Sequence, residues 1–298
     1  MNGLLLAVSV VMNLLSCGIL RNDFCKKEIT GNADLNAFNS VSSLLSAVTL
    51  AIITLAGGSL CVPSAYTVVL GIVFGIATAL CAILHMKALE NGPLSYTSVI
   101  CSCAMVIPAL SGLLFFGEAV TVLQYVGIVL MIISFVCAVD KQNGEAGMSF
   151  KWMLLCLGSF MFSGSVGVMQ KVHQSSPHKD ELGIFLVIAF VASALFSAVL
   201  SAYYKKGGQQ ITVLSGAKLK KFVIVSVVSG IGIALCNQIN MFLAGVMEAI
   251  IFYPVVNGAG MLLTTAAGIV FWKEKLSKKQ WFGLVTGAAA IFLLCGVF

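Results

Sequence analysis

The chain has 298 residues, of which 59% are hydrophobic and only 9% are charged, and its mean hydropathy is +1.04. A soluble domain carries about 25% charged residues, so this composition excludes a water-soluble protein and predicts one that lies in lipid. The formal net charge of +6 comes mainly from lysines in short segments between apolar stretches. Membrane proteins carry lysines there, so we expect no nucleic-acid partner.

Ten apolar stretches follow one another and leave no length for a soluble domain. A bilayer core of about 30 Å needs about 20 apolar residues per helix, and backbone in lipid must satisfy its own hydrogen bonds. No basic segment precedes the first stretch and no cleavage site follows it, so we expect it to be a transmembrane helix rather than a signal peptide. The ten predicted transmembrane helices are residues 3–20, 36–56, 64–88, 93–116, 120–139, 150–170, 182–203, 220–243, 248–271 and 278–297.

A weak internal repeat relates the two halves of the chain. With a shift of 156 residues, at least nine residues of the first half fall on identical residues of the second, among them Glu118 on Glu274. We therefore predict two five-helix repeats, residues 1–142 and 143–298. Because five is odd, the second repeat must be inverted relative to the first.

The loop charges predict an orientation. Loops after odd-numbered helices hold fifteen of the 17 Lys and Arg residues, and loops after even-numbered helices hold two, Lys171 and Lys179. The positive-inside rule then places the odd-numbered loops in the cytoplasm and both termini outside.

Two matching motifs carry a family resemblance. Residues 88–98 read A-L-E-N-G-P-L-S-Y-T-S, and residues 115–130 read F-F-G-E-A-V-T-V-L-Q-Y-V-G-I-V-L. The second half carries F-W-K-E-K-L-S-K-K-Q-W-F-G-L-V-T-G-A from residue 271. The chain resembles the ten-helix EamA-like branch of the drug/metabolite transporter superfamily.

That resemblance implies an all-α bundle of two inverted repeats around a central cavity, which moves small solutes such as amino acids across a bacterial inner membrane without a cofactor or a metal. One feature departs from the family. Familiar members have a charged loop after the second helix and cytoplasmic termini, whereas the corresponding loop here, residues 57–62, is neutral. The sequence therefore leaves the orientation open.

The charged residues argue against ion-driven transport. All eleven carboxylates lie in predicted loops or at predicted helix ends, whereas coupled transport usually uses a carboxylate within the membrane. Arg21, the only arginine, falls in a predicted loop, which argues against phosphate or nucleotide-sugar cargo. We interpret Glu118 and Glu274 as gating or helix-anchoring residues, or else as charges that interact with the dipole of the following helix.

Uncharged polar residues recur at helical spacing on several predicted helices. An amide without a partner in lipid is costly, so we expect these side chains to line a cavity, although the serines could instead bond to their own helices or pack against a neighbouring helix. His85 titrates near neutrality and is either a proton-sensitive cavity residue or an interfacial histidine. The candidate cavity residues are Asn13, Ser16, Asn39, His85, Tyr96, Ser98, Ser102, Gln170, Asn237, Tyr253 and Asn257.

A cavity lined by amides, hydroxyls and a few aromatic rings fits a small zwitterionic or neutral polar solute. We expect an exporter or exchanger that works by alternating access, and a single chain suffices because the duplication supplies both repeats. The alternatives are efflux of drugs or cations, for which a central acidic residue is missing, and a lipid flippase or sensor subunit. A membrane enzyme would need a nucleophile with a base, or a cluster of His, Asp and Glu, inside the spans.

Overall fold

Helices account for most of the residues that the structure describes. The computed structural model describes residues 2–58, 61–91, 101, 103–119, 121–138, 149–214, 218–272 and 277–294. Within these residues 88% are helical and no strand occurs. The α-helices are α1 (Asn2–Asn13), α2 (Asn22–Glu28), α3 (Asn32–Ala56), α4 (Ala65–Asn91), α5 (Val106–Phe115), α6 (Val122–Ala138), α7 (Phe150–Gln174), α8 (Leu182–Lys206), α9 (Lys218–Val246), α10 (Ala249–Trp272) and α11 (Lys278–Leu294).

The helices coincide with the predicted apolar stretches, but two of these stretches are irregular. Helix α1 continues as a π-helix over Leu14–Arg21 and then as α2, so the first stretch stays helical as far as Glu28. In the fourth stretch, residues 93–116, a 3-10 turn at Cys103–Met105 precedes α5. Pro108 accounts for this turn, because proline lacks an N–H and its ring clashes with the carbonyl four residues earlier.

Several helices can cross a membrane. Five described segments are long and apolar enough: Asn32–Ala56, Ala65–Ala88, Phe150–Gln174, Lys179–Lys206 and Lys218–Val246. Shorter apolar helices lie at Asn2–Ser16, Cys103–Phe115, Val122–Ser134 and Ala249–Gly260. Over the described residues the protein is therefore all-helical, with helices of the length and hydropathy of a multi-pass membrane protein, and the number of ten crossings stays a prediction.

The chain forms two compact units, and each takes segments from both halves of the sequence. Unit 1 consists of Met1–Ala79 and Val172–Gly245, and unit 2 of Leu80–Lys171 and Val246–Phe298. The boundaries between them fall inside α4 and near the end of α7. The predicted repeats, residues 1–142 and 143–298, are consecutive halves of the sequence and therefore do not coincide with these units. The repeats stay a prediction.

In unit 1, helices α3 and α8 pack against each other in antiparallel directions. The end of α3 meets the beginning of α8 where a Cβ on Gly183 would touch the Thr54 side chain. At the opposite end the Ser201 hydroxyl donates to the Ala33 carbonyl at 2.9 Å. Small residues along the contact let the two backbones approach closely.

Gly75, on α4, shows that this helix also packs closely against α8 within unit 1. A Cβ on Gly75 would collide with the carbonyl oxygen of Ala189 in α8 and lie 3.0 Å from the Cβ of Ala192. The spacing of Gly71 and Gly75 predicts a close helix approach, and the structure confirms it, since Gly71 faces α8 as well.

Two carboxylates of unit 1 bind backbone at the beginnings of other helices. Asp34, at the beginning of α3, accepts from the N–H groups of Thr212 and Val213, ahead of α9, at 2.7 and 3.2 Å. Glu181, just before α8, accepts from the N–H of Ser64, just before α4, at 2.9 Å. The two arrangements correspond to each other. A carboxylate at the beginning of α3 binds backbone ahead of α9, and a carboxylate at the beginning of α8, the helix that packs against α3, binds backbone ahead of α4.

In unit 2, helices α6 and α11 form a second antiparallel pair. The Ser134 hydroxyl donates to the Gly283 carbonyl at 2.6 Å, and a Cβ on Gly127 would lie 3.3 Å from the Ala290 carbonyl oxygen. A shift of 156 residues turns Gly127 into Gly283 and Ser134 into Ala290. The two contacts are thus interchanged by the same shift that relates the halves of the sequence.

Candidate functional site

The structure divides the predicted cavity residues between the two units. Unit 1 holds Asn13, Ser16, Asn39 and Asn237, and unit 2 holds His85, Gln170, Tyr253, Asn257 and the turn residue Glu118. The remaining candidates, Tyr96, Ser98, Ser102 and Glu274, lie outside the described residues.

Three amides keep part of their surface accessible. Asn13 and Asn257 are exposed, and Asn237 is half-buried. The Nδ2 groups of Asn237 and Asn257 each donate to a carbonyl four residues earlier, that of Ile233 at 2.9 Å and that of Tyr253 at 2.8 Å. Their own helices thereby occupy these amide nitrogens, so the Oδ1 acceptors are the atoms that can meet a ligand.

Ser16 packs rather than lines an open surface. Its side chain is 3% exposed, and its hydroxyl donates to the Met12 carbonyl at 2.7 Å. A Cβ on Gly232 of α9 would collide with this side chain. The Ser229 hydroxyl reaches the Ser16 carbonyl at 3.4 Å. Ser16 therefore holds the π-helix against α9, as the helix-packing interpretation of the serines anticipates.

Asn39 has a charged partner that the sequence does not reveal. The Arg21 Nη2 donates to the Asn39 Oδ1 at 2.8 Å, and the guanidinium carbon lies 6.0 Å from the centre of the Phe38 ring. The prediction that Arg21 lies in a loop is wrong, because Arg21 ends the π-helix and the chain continues directly into α2. The position of Arg21 therefore no longer argues against phosphate or nucleotide-sugar cargo.

His85 belongs to a small network of thiol and hydroxyl groups in unit 2. Its Nδ1 lies 3.2 Å from the Cys101 sulfur, which donates to the Ser159 hydroxyl at 3.4 Å. Cys81 contacts the Ser159 carbonyl at 3.7 Å. These cysteines are therefore polar partners and not only small apolar residues. Among the described residues, no group of three or more His, Cys, Asp or Glu could hold a metal ion.

Tyr253 is buried in the packing of unit 2. Its hydroxyl donates to the Gly167 carbonyl at 2.6 Å, and its ring packs beside Phe252 with 4.8 Å between the centroids. A Cβ on Gly167 would meet both the Pro108 ring and the Tyr253 ring, at 2.8 and 3.1 Å. The Tyr253 hydroxyl is thus hydrogen-bonded to α7, and its ring stabilises the beginning of α10.

Glu118 anchors the beginning of α10. Its carboxylate lies 2.8 Å from the Lys171 Nζ and accepts from the N–H groups of Ala249 and Ile250 at 2.9 and 3.3 Å. A carboxylate at a helix beginning satisfies free N–H groups and interacts favourably with the helix dipole. The helix that it stabilises is α10, and not the α6 helix that follows it in the chain.

The turn before α6 positions Glu118. Gly117 has φ +62°, a left-handed conformation that glycine adopts without strain. This turn brings the Glu118 N–H back to the Gly112 carbonyl at 3.2 Å. Gly112 also leaves the space that the carboxylate occupies, since a Cβ there would collide with Oε2.

Sequence reasoning missed two buried residues in the last turn of α7. Lys171 is predicted to be a loop lysine, but it is 8% exposed and its Nζ donates to the Met247 carbonyl at 2.9 Å. His173 is completely buried, with its ring 4.3 Å from that of Phe185. His85 is therefore not the most buried histidine. Gln170, which precedes both, is 6% exposed.

Comparison with known proteins extends these observations. A crystal structure whose chain is 14% identical in sequence superposes with a TM-score of 0.74, covering 98% of this chain and 95% of the other. The fold is thus one already seen in experiment. A protein of Haemophilus influenzae, described only as an uncharacterized protein, is 25% identical over 219 residues, which cover 71% of this chain and 70% of the relative.

The sequence also matches a family model. Residues 22–139 match the EamA-like transporter family. The matched segment contains the G-E-x-x-x-x-x-Q-x-x-G element that begins at Gly117, so the predicted resemblance is confirmed. Over residues 22–139, which are less than half of the chain, the protein is thus similar to the EamA-like transporter family, which belongs to the drug/metabolite transporter superfamily.

Proposed function

We propose that the chain transports a small polar metabolite, an amino acid or a similar zwitterionic or neutral solute, as an exporter or exchanger that works by alternating access. The observation that carries this proposal is the accessible set of amides, Asn13, Asn237 and Asn257, on the apolar helices of a protein that is similar to a transporter family. Amides that face lipid without partners are costly, so accessible amides favour a water-filled path. Their acceptor oxygens suit the ammonium or hydroxyl groups of such a solute.

The proposed architecture is ten transmembrane helices in two inverted repeats. Two observations support it. The contacts of Gly127 with Ala290 and of Ser134 with Gly283 are interchanged by the 156-residue shift, and Asp34 and Glu181 make reciprocal backbone contacts. In such a transporter the path lies at the repeat interface and its access alternates between the two sides. We place the protein in a bacterial inner membrane, with one chain sufficient for function.

The carboxylates favour facilitated transport or exchange over proton-driven pumping. Glu118 is buried, but it is paired with Lys171. Asp34 is buried, but Thr30, Thr212 and Val213 all donate to it. A proton relay needs a carboxylate that can exchange its partners during transport, whereas both of these carboxylates are engaged in contacts that hold the protein together.

The test is transport by the purified protein in proteoliposomes. Radiolabelled amino acids, amines, nucleosides and sugars are offered in turn, with and without unlabelled solute inside the vesicles. We expect one class of small polar solute to enter, and to enter faster by exchange. Exclusive transport of lipophilic cations would favour drug efflux, and movement of labelled lipid alone would favour a flippase.

Variants test the site itself. Asn237→Ala and Asn257→Ala should raise the half-saturation concentration about tenfold, the effect expected for one or two lost hydrogen bonds. Asn91→Ala is the matched control, because the Asn91 amide also donates to a carbonyl four residues earlier but lies at the last residue of α4. Equal effects of all three variants would contradict the proposed cavity. Proton-driven uptake that one Glu→Gln substitution abolishes would contradict the uncoupled mechanism.

A further inference from the structure

The only arginine of the chain lies inside a helix. Arg21 is followed by the seven residues of α2, so it lies about 10 Å from the end of that helical stretch. The other 16 of the 17 basic residues are lysines. Lysine serves equally well as a charge that sets topology, so a single arginine within a helix points to a task that needs the planar guanidinium group.

The guanidinium group faces the interior of unit 1. Its partner Asn39 is only 6% exposed. Beside it Phe24, Phe38 and Phe222 form an aromatic cluster with 5.1 to 6.3 Å between ring centroids, and each of these side chains is at most 2% exposed. A side chain that extends from a helix to reach membrane lipid would point away from such a cluster.

The described carboxylates of this end of unit 1 are engaged elsewhere. Lys221 and Lys218 lie 2.9 and 3.7 Å from Glu28, and the hydrogen bond from Lys221 holds the pKa of Glu28 below its usual value. The hydroxyl of Thr30 and that of Thr212 donate to Asp34, both at 2.8 Å. Among the side chains that the structure describes, Arg21 therefore makes no ion pair. A charge inside a membrane protein normally has a partner of opposite sign.

Asn39 orients the guanidinium group without neutralising it. An arginine has five N–H donors in a planar fork and stays protonated in proteins. The Asn39 Oδ1 accepts one of these hydrogens, and the Phe38 ring lies near the cation. The remaining donors match the two oxygens of a carboxylate, which arginine binds through two parallel hydrogen bonds.

We propose that Arg21, held by Asn39, binds the carboxylate group of the transported solute. This inference rests on the proposed function and narrows its cargo to solutes that bear a carboxylate. One guanidinium group balances one negative charge, so the site suits a zwitterionic amino acid and not a polyanion such as a nucleotide sugar. The Arg21 site recognises the oxyanion, and the accessible amides of the same unit, Asn13 and Asn237, recognise the rest of the solute.

The first test compares each amino acid with its own carboxamide, which keeps every group except the charged carboxylate. Thermal unfolding in detergent reports binding, because a ligand of the folded state raises its melting temperature. We expect amino acids but not carboxamides to stabilise the wild-type protein. Arg21→Gln should raise the half-saturation concentration at least about tenfold, and Arg21→Lys should do so less. Lys220→Gln, which removes an exposed charge near the beginning of α9, is the matched control and should change nothing.

A second variant keeps the test decisive if Arg21→Gln fails to fold. Asn39→Asp supplies an internal carboxylate 2.8 Å from the guanidinium nitrogen, so the protein should fold and unfold at an equal or higher temperature but no longer respond to amino acids. Asp23→Asn should leave the response intact. A response that survives Asn39→Asp overturns the proposal, and so does a response that Asp23→Asn strengthens, which would identify Asp23 as the internal counter-ion of Arg21.

The remaining outcomes separate this inference from the transport proposal. If wild-type protein responds to sugars or nucleosides but not to carboxylates, the Arg21 inference falls and the transporter of polar solutes stands. If it responds to nothing in the panel, both the Arg21 inference and the proposal of a polar-solute transporter fall.

Nanodiscs of phosphatidylglycerol and of phosphatidylcholine test the other source of an oxyanion. A stabilisation by phosphatidylglycerol that Arg21→Gln removes, while the amino-acid response persists, would assign the site to a lipid phosphate instead.

Discussion

The Glu118 carboxylate and the Lys171 ammonium group lie 2.8 Å apart, and neither side chain is more than 10% exposed. The pair joins the turn after α5 to the last turn of α7. Glu118 also binds the first N–H groups of α10, and Lys171 donates to the Met247 carbonyl just ahead of that helix. The position of α10 within unit 2 thus depends on two charges that must be buried together.

We expect Glu118→Gln and Lys171→Met each to lower the free energy of unfolding by about 3 kcal/mol, because each leaves the other charge buried without its partner. The double variant should lose less than the sum of the two. Unfolding of the detergent-purified protein by heat or by SDS measures this, with the exposed Lys179→Met as the control. Additive losses would show that the two side chains act independently.

Asp34 should be more important for stability than an exposed aspartate. Asp34→Asn replaces one acceptor oxygen with an amide nitrogen that faces the donors on Thr212 and Val213. We expect a loss of about 2 kcal/mol, within the range for hydrogen bonds to charged groups. The same substitution at the exposed Asp180 should cost almost nothing. Similar melting temperatures for the two variants would contradict the role assigned to Asp34.

Gly75→Ala should destabilise unit 1, because the added Cβ meets the Ala189 backbone, which cannot move aside without shifting α8. Overpacking of this kind costs about 1–3 kcal/mol. Gly3→Ala is the matched control, since a Cβ there meets nothing within 4 Å and alanine favours the helix. The melting temperatures of the two variants are compared directly, and a Gly75→Ala protein as stable as wild type would refute the close approach.

Cys61 provides a test of orientation. It is exposed and lies between α3 and α4, in a segment that the lysine distribution places outside the cytoplasm. A membrane-impermeant maleimide should label it in intact cells, and Cys61→Ser should remove that label. Labelling of Cys61 only in inside-out vesicles would assign both termini to the cytoplasm, as in familiar members of the family.

Helix positions could be predicted well, because lipid forces each apolar stretch to satisfy its backbone internally. The stretch predicted at residues 182–203 is α8, Leu182–Lys206, and the break predicted between residues 243 and 248 separates α9 from α10. The end of α7 is missed by four residues, since Lys171 and His173 are polar and a hydropathy criterion assigns polar residues to loops. The partner that buries Lys171, Glu118, is distant in the sequence.

The candidate site could be predicted less well. Helical spacing identifies a polar face, but it does not distinguish a hydroxyl that packs against a neighbour, such as Ser16, from an amide that stays accessible, such as Asn257. The polar segment that follows Arg21 predicts a loop there. The structure shows that the helix continues through this segment. Which helices pack together depends on contacts between residues far apart in the chain, and the sequence carries no local sign of them.

The contact between Ser134 and Gly283 spans 149 residues of chain, and this distance matters for how the protein is made. At a synthesis rate of about 5–20 residues per second, α6 enters the membrane roughly 7 to 30 seconds before the residues of α11 that cover it exist. During that interval the glycine face around Gly127 is in contact with lipid or with the insertion machinery. The first half of the bundle is therefore in the membrane before the second half has been synthesised. A slow step in biogenesis is the synthesis of α11, and not the formation of any one helix.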